Sequence, residues 1–539
     1  MEKRSNSFVK GALILGIAGL IVKVIGAFFR IPLANAVGPV SMSYYEVAYP
    51  YYSWLLVISS SGLPTAISKV VSERVTVGDY YGARAVFKDA LVLMTLIGIV
   101  TSIGMFFAAD ALAGLSSFEK ASLSFRALAP SLLLVSVMCA YRGYLQGMQQ
   151  MTGTAVSQIA EQVGKLAVGL YLGIKLLPQG PEYAAMGALI GVTASELLGL
   201  VVIWLFYMNK RKQFLRLLKK SERRTYKSGA FLKTILMIAV PITIGASISP
   251  LTGMVDSALI GRSLQNLGFG EEAAQTAYSL LRTNVMTLVN MPGVLTVALA
   301  VSLVPAISAC IIKRDYVRAK IAARLGMKLA LIIGFPCAVG LFVLSEPVLL
   351  LLYPKLSGGT LTLASELLKT ASVGVIFLSL VQSMTGVIQG LGKPNVPVFN
   401  LFIGFLLKVV TLLVLINIPS INIQGAAVST VVCFAFAGIA DMVYTIRKTG
   451  MKVSIVDVFV KPAAASLAMG LVAGAVYTLL HDAGHQRLGA VAGIGVGVLV
   501  YGVLVLVLRM FSQDELDMIP GGNKVRALVA RFQRPSKKA

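Results

Sequence analysis

The 539 residues are 57% hydrophobic and only 13% charged, and they carry a formal net charge of +25. Soluble domains contain about 25% charged residues, so this composition excludes an ordinary soluble protein. Apolar runs of about 20 residues recur along the whole chain, which indicates an all-α polytopic membrane protein and not a β-barrel. Membrane proteins place Lys and Arg in cytoplasmic loops, so the positive charge does not call for a nucleic-acid partner.

The apolar runs predict fourteen transmembrane helices, taken here in chain order. Loops rich and poor in Lys and Arg alternate between them, so we expect both termini in the cytoplasm. The predicted helices cover residues 8–35, 45–73, 83–109, 122–148, 154–176, 184–208, 231–258, 275–310, 319–344, 362–391, 395–417, 422–447, 454–480 and 487–510.

These helices group into two six-helix lobes, followed by two further helices. The segment from Lys210 to Lys233, which spans the linker between the lobes, contains ten basic residues, and it either docks anionic lipid or a partner or simply joins the lobes in the cytoplasm. The predicted segments are 1–209 for the first lobe, 210–230 for the linker, 231–449 for the second lobe, 450–510 for the last two helices and 511–539 for a basic tail.

A duplication relates the two lobes. The stretch from Tyr141 to Lys165 recurs 243 residues later, where Gln146-Gly147 becomes Gln389-Gly390, Ser157 becomes Asn400 and Lys165 becomes Lys408. Because six helices return the chain to the same side of the membrane, the lobes form a parallel repeat. Transporters with such repeats bind substrate near the midplane between the two copies, and we expect a site there.

Charged residues inside the predicted helices are the strongest functional signal. A charge near a helix centre costs roughly 2.5–3.5 kcal/mol on insertion scales, so it persists mainly where it faces protein or water. The first helix carries a stripe of small and basic residues spaced 3, 4, 3 and 4 apart, which places them on one face. The stripe consists of Gly16, Gly19, Lys23, Gly26 and Arg30.

Two interpretations of this stripe remain open. The glycines can pack helices while the two basic side chains reach opposite membrane surfaces, or the stripe lines a cavity. Lys23 lies near the middle of the helix, which favours the cavity. The further candidate substrate-binding residues are Glu46, Arg142, Lys165, Arg282 and Lys408.

Two acidic positions have alternative interpretations. Glu161 precedes Lys165 by four residues, so it either pairs with Lys165 on one helix face or has a function of its own. Asp256 is isolated in the seventh helix, where it either binds Na⁺ or a proton or pairs with Arg262 or Arg282.

Basic side chains outnumber acidic ones within the helices, so the ligand should be anionic. Arginine suits phosphate oxygens because its guanidinium is bidentate, which makes pyrophosphate a strong candidate. His481 and His485 lack the acid and third ligand of a zinc site, and no GxxxxGK[ST] sequence is present. We therefore expect no enzyme activity, no metal, no cofactor and no direct use of ATP.

Four long segments resemble one family, the polysaccharide-biosynthesis branch of the multidrug/oligosaccharidyl-lipid/polysaccharide exporter superfamily. This branch includes the MurJ-type lipid II flippases and stage V sporulation proteins. The segments are GLIVKVIGAFFRIPLANAVG, AYPYYSWLLVISSSGLPTAISKVVSE, RALAPSLLLVSVMCAYRGYLQGMQQMTGTAVSQIAEQ and TLVNMPGVLTVALAVSLVPAIS.

The resemblance implies a flippase, active as a monomer, that moves undecaprenyl-pyrophosphate-linked sugars between leaflets by alternating access, coupled to Na⁺, H⁺ or the membrane potential. It implies that Lys23, Arg30 and Arg282 contact the pyrophosphate. The family pattern has an acid directly after the arginine, whereas Ile31 follows Arg30 here, so that acid is absent or is supplied elsewhere, with Glu46 as a candidate.

Three other functions stay open from the sequence. One is transport of a different lipid-linked polysaccharide, and another is a drug/cation antiporter of the same superfamily, whose cavity should be acidic or aromatic. A membrane-embedded glycosyltransferase would need charged catalytic loops on the outer side. The outer loops here are short and carry few charges.

Overall fold

The computed structural model describes residues 2–219, 221–508, 510–511 and 515, and all regular structure among them is helical. The side chains of residues 1–14, 17, 20, 23 and 27 are outside this description. Twelve segments of the described residues are long and apolar enough to cross a membrane. The chain is therefore an all-α, multi-pass membrane protein, as the sequence predicted.

The chain divides into two compact units between Ser279 and Leu280. The first unit contains α1 to α10, and short turns or irregular segments join most of these helices. Their bounds are Glu2–Val57, Leu63–Thr76, Tyr80–Phe107, Ala109–Leu115, Ser122–Gly147, Met151–Gly164, Leu170–Leu176, Pro181–Lys219, Leu232–Asn266 and Glu271–Ser279.

The second unit contains α11 to α19. In chain order their bounds are Met286–Asn290, Gly293–Ile312, Tyr316–Val343, Ser345–Leu352, Gly358–Gly390, Asn395–Leu415, Gln424–Thr449, Lys461–Asp482 and Gln486–Val507. Among the described residues, four π-helical turns interrupt or begin helices, and such turns are often found at functional sites. They cover Ile58–Gly62, Lys165–Gly169, Leu280–Val285 and Val456–Val460.

The count of twelve spans differs from the fourteen predicted helices for two structural reasons. Val24–Thr76 counts once although it contains the second predicted helix and the end of the first, because the only non-helical backbone within α1 is at Gly38 (φ 80°, ψ 172°). The predicted fifth helix, residues 154–176, is divided into α6 and α7 by a π-helical turn. The number fourteen therefore stays a prediction.

Matching turns connect corresponding helices of the two units. Asp79 caps the start of α3 by accepting from Gly82 N at 2.8 Å, and Asp315 caps α13 by accepting from Arg318 N at 3.0 Å. The preceding residue is left-handed in both copies, at Gly78 (φ 76°) and Arg314 (φ 56°). The predicted sequence repeat thus has a counterpart in backbone conformation.

Small residues let the helices of each unit approach closely. In the first unit, α2 packs on α5, and a Cβ added at Gly147 would lie 2.6 Å from Val71 Cβ. In the second unit, α12 packs on α15, and a Cβ added at Gly390 would lie 2.9 Å from Ile307 Cβ. Gly147 and Gly390 are the last residues of α5 and α15, and they correspond to each other in the sequence repeat.

The connection after α8 is docked on the first unit. The helix continues to Lys219, beyond the predicted end at residue 208. Tyr226 then donates to Asp79 Oδ2 at 2.5 Å, and the backbone N–H groups of Gly229 and Phe231 donate to Asp89 at 2.9 and 3.1 Å. Two aspartates therefore hold the end of the predicted linker in place.

Candidate functional site: a cation cluster around Tyr49

The kink at Gly38 creates the central contact of the first unit. Arg30 and Glu46 lie 16 positions apart, which would separate them by about 24 Å in a straight α-helix. Instead Arg30 Nη2 and Glu46 Oε1 are 3.3 Å apart. The glycine reaches a φ of 80° at little steric cost, and the chain folds back there.

Lys165 reaches the same place from another helix. It begins the π-helical turn between α6 and α7, and it is 9% exposed. Its Nζ donates to Tyr49 Oη at 3.4 Å and lies 4.9 Å from the Tyr49 ring centroid and 5.1 Å from that of Phe29. Two aromatic faces therefore stabilise this buried ammonium group.

Tyr49 is the shared neighbour of the two cations. The Arg30 guanidinium carbon lies 5.6 Å from the Tyr49 ring centroid, and Tyr45 stacks on the same ring at 5.4 Å. Sequence reasoning did not select Tyr49. The signal that could have identified it is the unusual density of tyrosines in the segment SYYEVAYPYYSW, residues 43–54.

The described side chains of this cluster have a net charge of about +1. Arg30 and Lys165 contribute two positive charges, and Glu46 contributes one negative charge. The Glu46 side chain is 1% exposed, whereas that of Arg30 is 26% exposed. A guanidinium has five N–H donors, so Arg30 can bind an anion while it stays beside Glu46.

Arg142 belongs to a separate buried network on α5, α6 and α8. Its Nη2 donates to Ser157 Oγ at 2.6 Å and to Glu161 Oε2 at 2.9 Å, and Ser157 donates to the Gly199 carbonyl at 3.1 Å. Glu161 is thus the partner of Arg142, and the alternative pair with Lys165 is wrong. Lys165 instead turns toward Tyr49 at the π-helical turn.

A second carboxyl in this region was not among the predicted site residues. Glu196 on α8 is buried, and Tyr52 Oη donates to its Oε1 at 3.4 Å. Tyr52 belongs to the tyrosine-rich segment, residues 43–54, and follows Tyr49 by three positions. The tyrosines of α1 thus link two groups of charged side chains.

The other predicted residues have varied surroundings. Asp256 is buried on α9, next to Ser257, whose hydroxyl donates to the Val47 carbonyl of α1 at 2.9 Å. In the second unit, Arg282 lies in the π-helical turn Leu280–Val285 and Lys408 is buried on α16. The side chain of Lys23 lies outside the described residues.

The structure therefore brings three predicted residues, Arg30, Glu46 and Lys165, into one cluster. Arg142 has its own network, and the geometry shows no metal-binding group of three or more acidic, His or Cys side chains among the described residues. Buried cations on paired transmembrane helices, within a duplicated helical bundle, are characteristic of membrane transporters. That is the class of protein which the fold and the cluster define.

Comparison with known proteins agrees with this class. The model for the family described as polysaccharide biosynthesis protein matches residues 8–311, and the MatE model matches residues 283–414. The first match covers more than half of the chain, and the chain belongs to the polysaccharide biosynthesis protein family, within the superfamily that the sequence resemblance indicated.

Two relatives from Bacillus subtilis (strain 168) extend over most of the chain. Stage V sporulation protein B is 28% identical over 521 residues, covering 96% of this chain and 98% of the relative. Lipid II flippase MurJ is 27% identical over 460 residues, covering 82% of each chain.

Solved structures show the same fold at lower identity. An inward closed conformation of lipid II flippase MurJ matches with a TM-score of 0.68 and 16% identity, covering 92% of this chain and 98% of that one. An inward-facing multidrug resistance MATE family transporter matches with a TM-score of 0.66 and 16% identity, covering 81% and 98%.

Proposed function

We propose that the protein is a flippase for a sugar precursor linked to undecaprenyl pyrophosphate, with the peptidoglycan precursor lipid II as the first candidate. It moves the precursor from the inner to the outer leaflet of the bacterial plasma membrane by alternating access. Family membership and the relatives named as a lipid II flippase and a sporulation protein support this class of substrate.

The observation that carries the proposal is the cluster around Tyr49. Its two cations and one carboxylate leave a positive charge inside membrane helices, and Arg30 remains partly exposed. In a medium of low dielectric constant, such a charge attracts a phosphate strongly. Arg30 would bind pyrophosphate oxygens in a bidentate manner, and Lys165 would add a longer-range attraction.

The remaining predicted residues have supporting roles in this proposal. Lys23, Arg282 and Lys408 are further candidate cations for the headgroup, and Arg142, which is paired with Glu161, supports the helices of the first unit. Asp256 is the candidate for coupling to Na⁺ or H⁺, and the membrane potential is the alternative driving force. The protein works as a monomer with both termini in the cytoplasm, and it transports its substrate without catalysing a reaction.

A drug/cation antiporter is the competing function, because MATE transporters share the fold. A site for a cationic drug would be stabilised by unpaired acids or aromatic rings. In the cluster described here Glu46 is already beside Arg30, and Lys165 occupies the face of Tyr49. This arrangement favours an anionic ligand.

Complementation tests the substrate directly. A bacterial strain depleted of its lipid II flippase would express this protein, and the lipid II in the outer leaflet would be quantified together with growth. We expect restored growth and restored outer-leaflet lipid II. Suppose that the protein reaches the membrane, that neither growth nor outer-leaflet lipid II recovers, and that resistance to cationic drugs rises. The antiporter hypothesis then replaces the proposal.

Substitutions test the cluster. We expect Arg30→Ala to lower outer-leaflet lipid II by about tenfold or more, since a bidentate phosphate contact is lost, and Arg282→Ala to do the same. Arg126→Ala is the matched control. Arg126 is not part of the cluster, and its Nη2 lies 2.7 Å from Oδ2 of the exposed Asp110. Full transport by Arg30→Ala and Arg282→Ala, or equal loss in the control, would contradict the cation model.

A further inference from the structure

A cavity of about 420 Å³ lies between α16 and α17 of the second unit. This volume is within the range of about 300–1,000 Å³ that is common for ligand pockets. Two polar side chains of α17, Tyr444 and Arg447, line the same space as a mostly apolar wall. The α16–α17 cavity therefore combines a hydrophobic surface with a cation. Its apolar lining includes Val396 from α16 and Phe436, Ile439 and Val443 from α17.

The cation is at one end of the α16–α17 cavity. Arg447 is exposed in the last turn of α17, and Phe436 precedes it by eleven positions. Eleven residues of an α-helix rise about 16 Å. The hydrocarbon layer of one leaflet is about 15 Å thick, half of the bilayer core of about 30 Å. The cavity thus extends from the arginine over a depth of about one leaflet.

Further positive charge surrounds the arginine end of the cavity. Lys448 is exposed in the same turn of α17. Exposed Lys393 is on the α16 side, where its carbonyl accepts from Val396 N at 3.2 Å. The N-terminus of α16 adds a partial positive charge, and together these groups outweigh the partial negative charge at the C-terminus of α17. This end of the cavity should therefore attract an anion.

One carboxyl lies behind the wall of the cavity. Asp441 is fully buried, and its Oδ1 accepts from Nδ2 of Asn400, which lines the cavity. Asp441 precedes Arg447 by six positions, which corresponds to a rise of about 9 Å along α17. The carboxyl is thus bound to an amide and lies away from the arginine end, so it does not neutralise Arg447.

The first unit has neither the opening nor the cation at the corresponding place. Gly153 is the counterpart of Val396 at the repeat offset of 243, and a Cβ added at Gly153 would lie 3.2 Å from the ring of Phe206 on α8. An offset of 238 aligns α8 with α17, so Phe206 corresponds to Tyr444, and Asn209 occupies the position of the cavity arginine. The duplicated framework therefore does not require a cavity or a cation here.

We propose that the α16–α17 cavity binds an anionic phospholipid of the surrounding membrane, with the phosphate at Arg447 and one acyl chain along the apolar wall. The guanidinium can donate two hydrogen bonds to phosphate oxygens, and the hydroxyl of Tyr444 can donate a third. Basic pockets between transmembrane helices suit lipid headgroups of this charge. The site is formed by the second unit alone and does not depend on the substrate proposed for transport.

Native mass spectrometry of the full-length protein in detergent tests the headgroup contact. Phosphatidic acid is titrated into the protein, and the fraction with bound lipid gives the affinity. We expect Arg447→Gln to bind about tenfold more weakly, because a bidentate phosphate contact is lost. Lys448→Gln is the matched control, since Lys448 is an exposed cation of the same turn outside the cavity lining. Its affinity should stay within about twofold of the wild type.

A second pair of variants tests the acyl-chain contact. Val443→Trp fills part of the cavity and leaves Arg447 in place, so we expect phosphatidic acid to bind about fivefold more weakly. Leu205→Trp is the matched control, because Leu205 is at the corresponding position of the first unit. Both side chains are exposed, so both variants should fold, and thermal unfolding without added lipid verifies this.

The proposal fails if Arg447→Gln keeps the wild-type affinity, or if Lys448→Gln loses as much affinity as Arg447→Gln. It also fails if Val443→Trp binds as the wild type does, or if the wild type binds phosphatidylcholine as tightly as phosphatidic acid. Displacement of the lipid by an equal concentration of inorganic phosphate would overturn it in favour of a soluble anion. Tighter binding of undecaprenyl pyrophosphate than of phosphatidic acid would overturn it in favour of the transported class of lipid.

Discussion

The first unit joins α6 to its neighbours through an ion pair, whereas the second unit joins the corresponding helix α16 to α17 through an amide and a carboxyl. In the first unit, Arg142 binds both Ser157 and Glu161. In the second, Asn400, the sequence counterpart of Ser157, donates to Asp441 Oδ1 at 2.7 Å. The polar centres have diverged while the helical framework was kept.

The two units pack the same helix pair in the same register. A Cβ added at Gly147 would lie 2.6 Å from Val71 Cβ, and one added at Gly390 would lie 2.9 Å from Ile307 Cβ. Val71 and Ile307 both lie eight positions before the capping aspartate, Asp79 or Asp315. The close packing of these helices is therefore common to the two units, whereas their polar centres differ.

Among the substitutions that test the difference between the units, that of Arg142 should lower the stability of the protein most. Arg142→Ala leaves the largely buried Glu161 without its cation, and breaking such a pair costs about 3–5 kcal/mol. We expect a large fall in the thermal unfolding temperature of the purified protein. Addition of Glu161→Gln should recover most of that loss, and a double variant no more stable than Arg142→Ala would show that the ion pair is not the cause.

Substitution of Asn400 should have a smaller effect. Asn400→Ala removes one hydrogen bond to the buried Asp441, a loss of about 1–3 kcal/mol, because the lost partner is a neutral amide and no charge loses its counter-ion. Thermal unfolding measures the difference, with Asn417→Ala as a control, since exposed Asn417 donates to the Leu413 carbonyl of its own helix turn at 2.7 Å. If Asn400→Ala destabilises the protein as much as Arg142→Ala does, the polar centres of the two units do not differ in their contribution to stability.

The smallest expected loss of stability is that of a substitution at Tyr226, in the connection between α8 and α9. The hydrogen bond to Asp79 raises the pKa of Tyr226, so the neutral tyrosine is the form that stabilises the fold. Tyr226→Phe should lower stability by about 1 kcal/mol at neutral pH. Because the folded pKa is raised, this contribution is complete below the ordinary tyrosine pKa of about 10 and is lost as pH rises through the raised value.

Thermal unfolding of wild type and Tyr226→Phe at neutral and strongly alkaline pH checks that sign. The difference between them should vanish at alkaline pH. Tyr316→Phe is the matched control in the second unit, where Tyr316 follows the capping residue Asp315 and is exposed. A pH-independent difference would show that Tyr226 acts through packing and not through its hydroxyl.

Several features of the candidate site were predictable from the sequence. Charges within apolar helices pointed to Arg30, Glu46, Arg142 and Lys165, because insertion of a charge into a membrane is costly. Their partners were not predictable in the same way. Glu161 lies four residues from Lys165 in the sequence, but the structure pairs it with Arg142 from α5.

The sequence by itself determined the all-helical membrane fold, the duplication and the turn positions, because hydrophobic length and backbone preference are local properties. The matching helix caps at Asp79 and Asp315 illustrate this. Only the tertiary structure decided that the kink at Gly38 brings Glu46 to Arg30 and that a π-helical turn carries Lys165 to Tyr49. Those outcomes depend on contacts between helices, which spacing along a single helix does not specify.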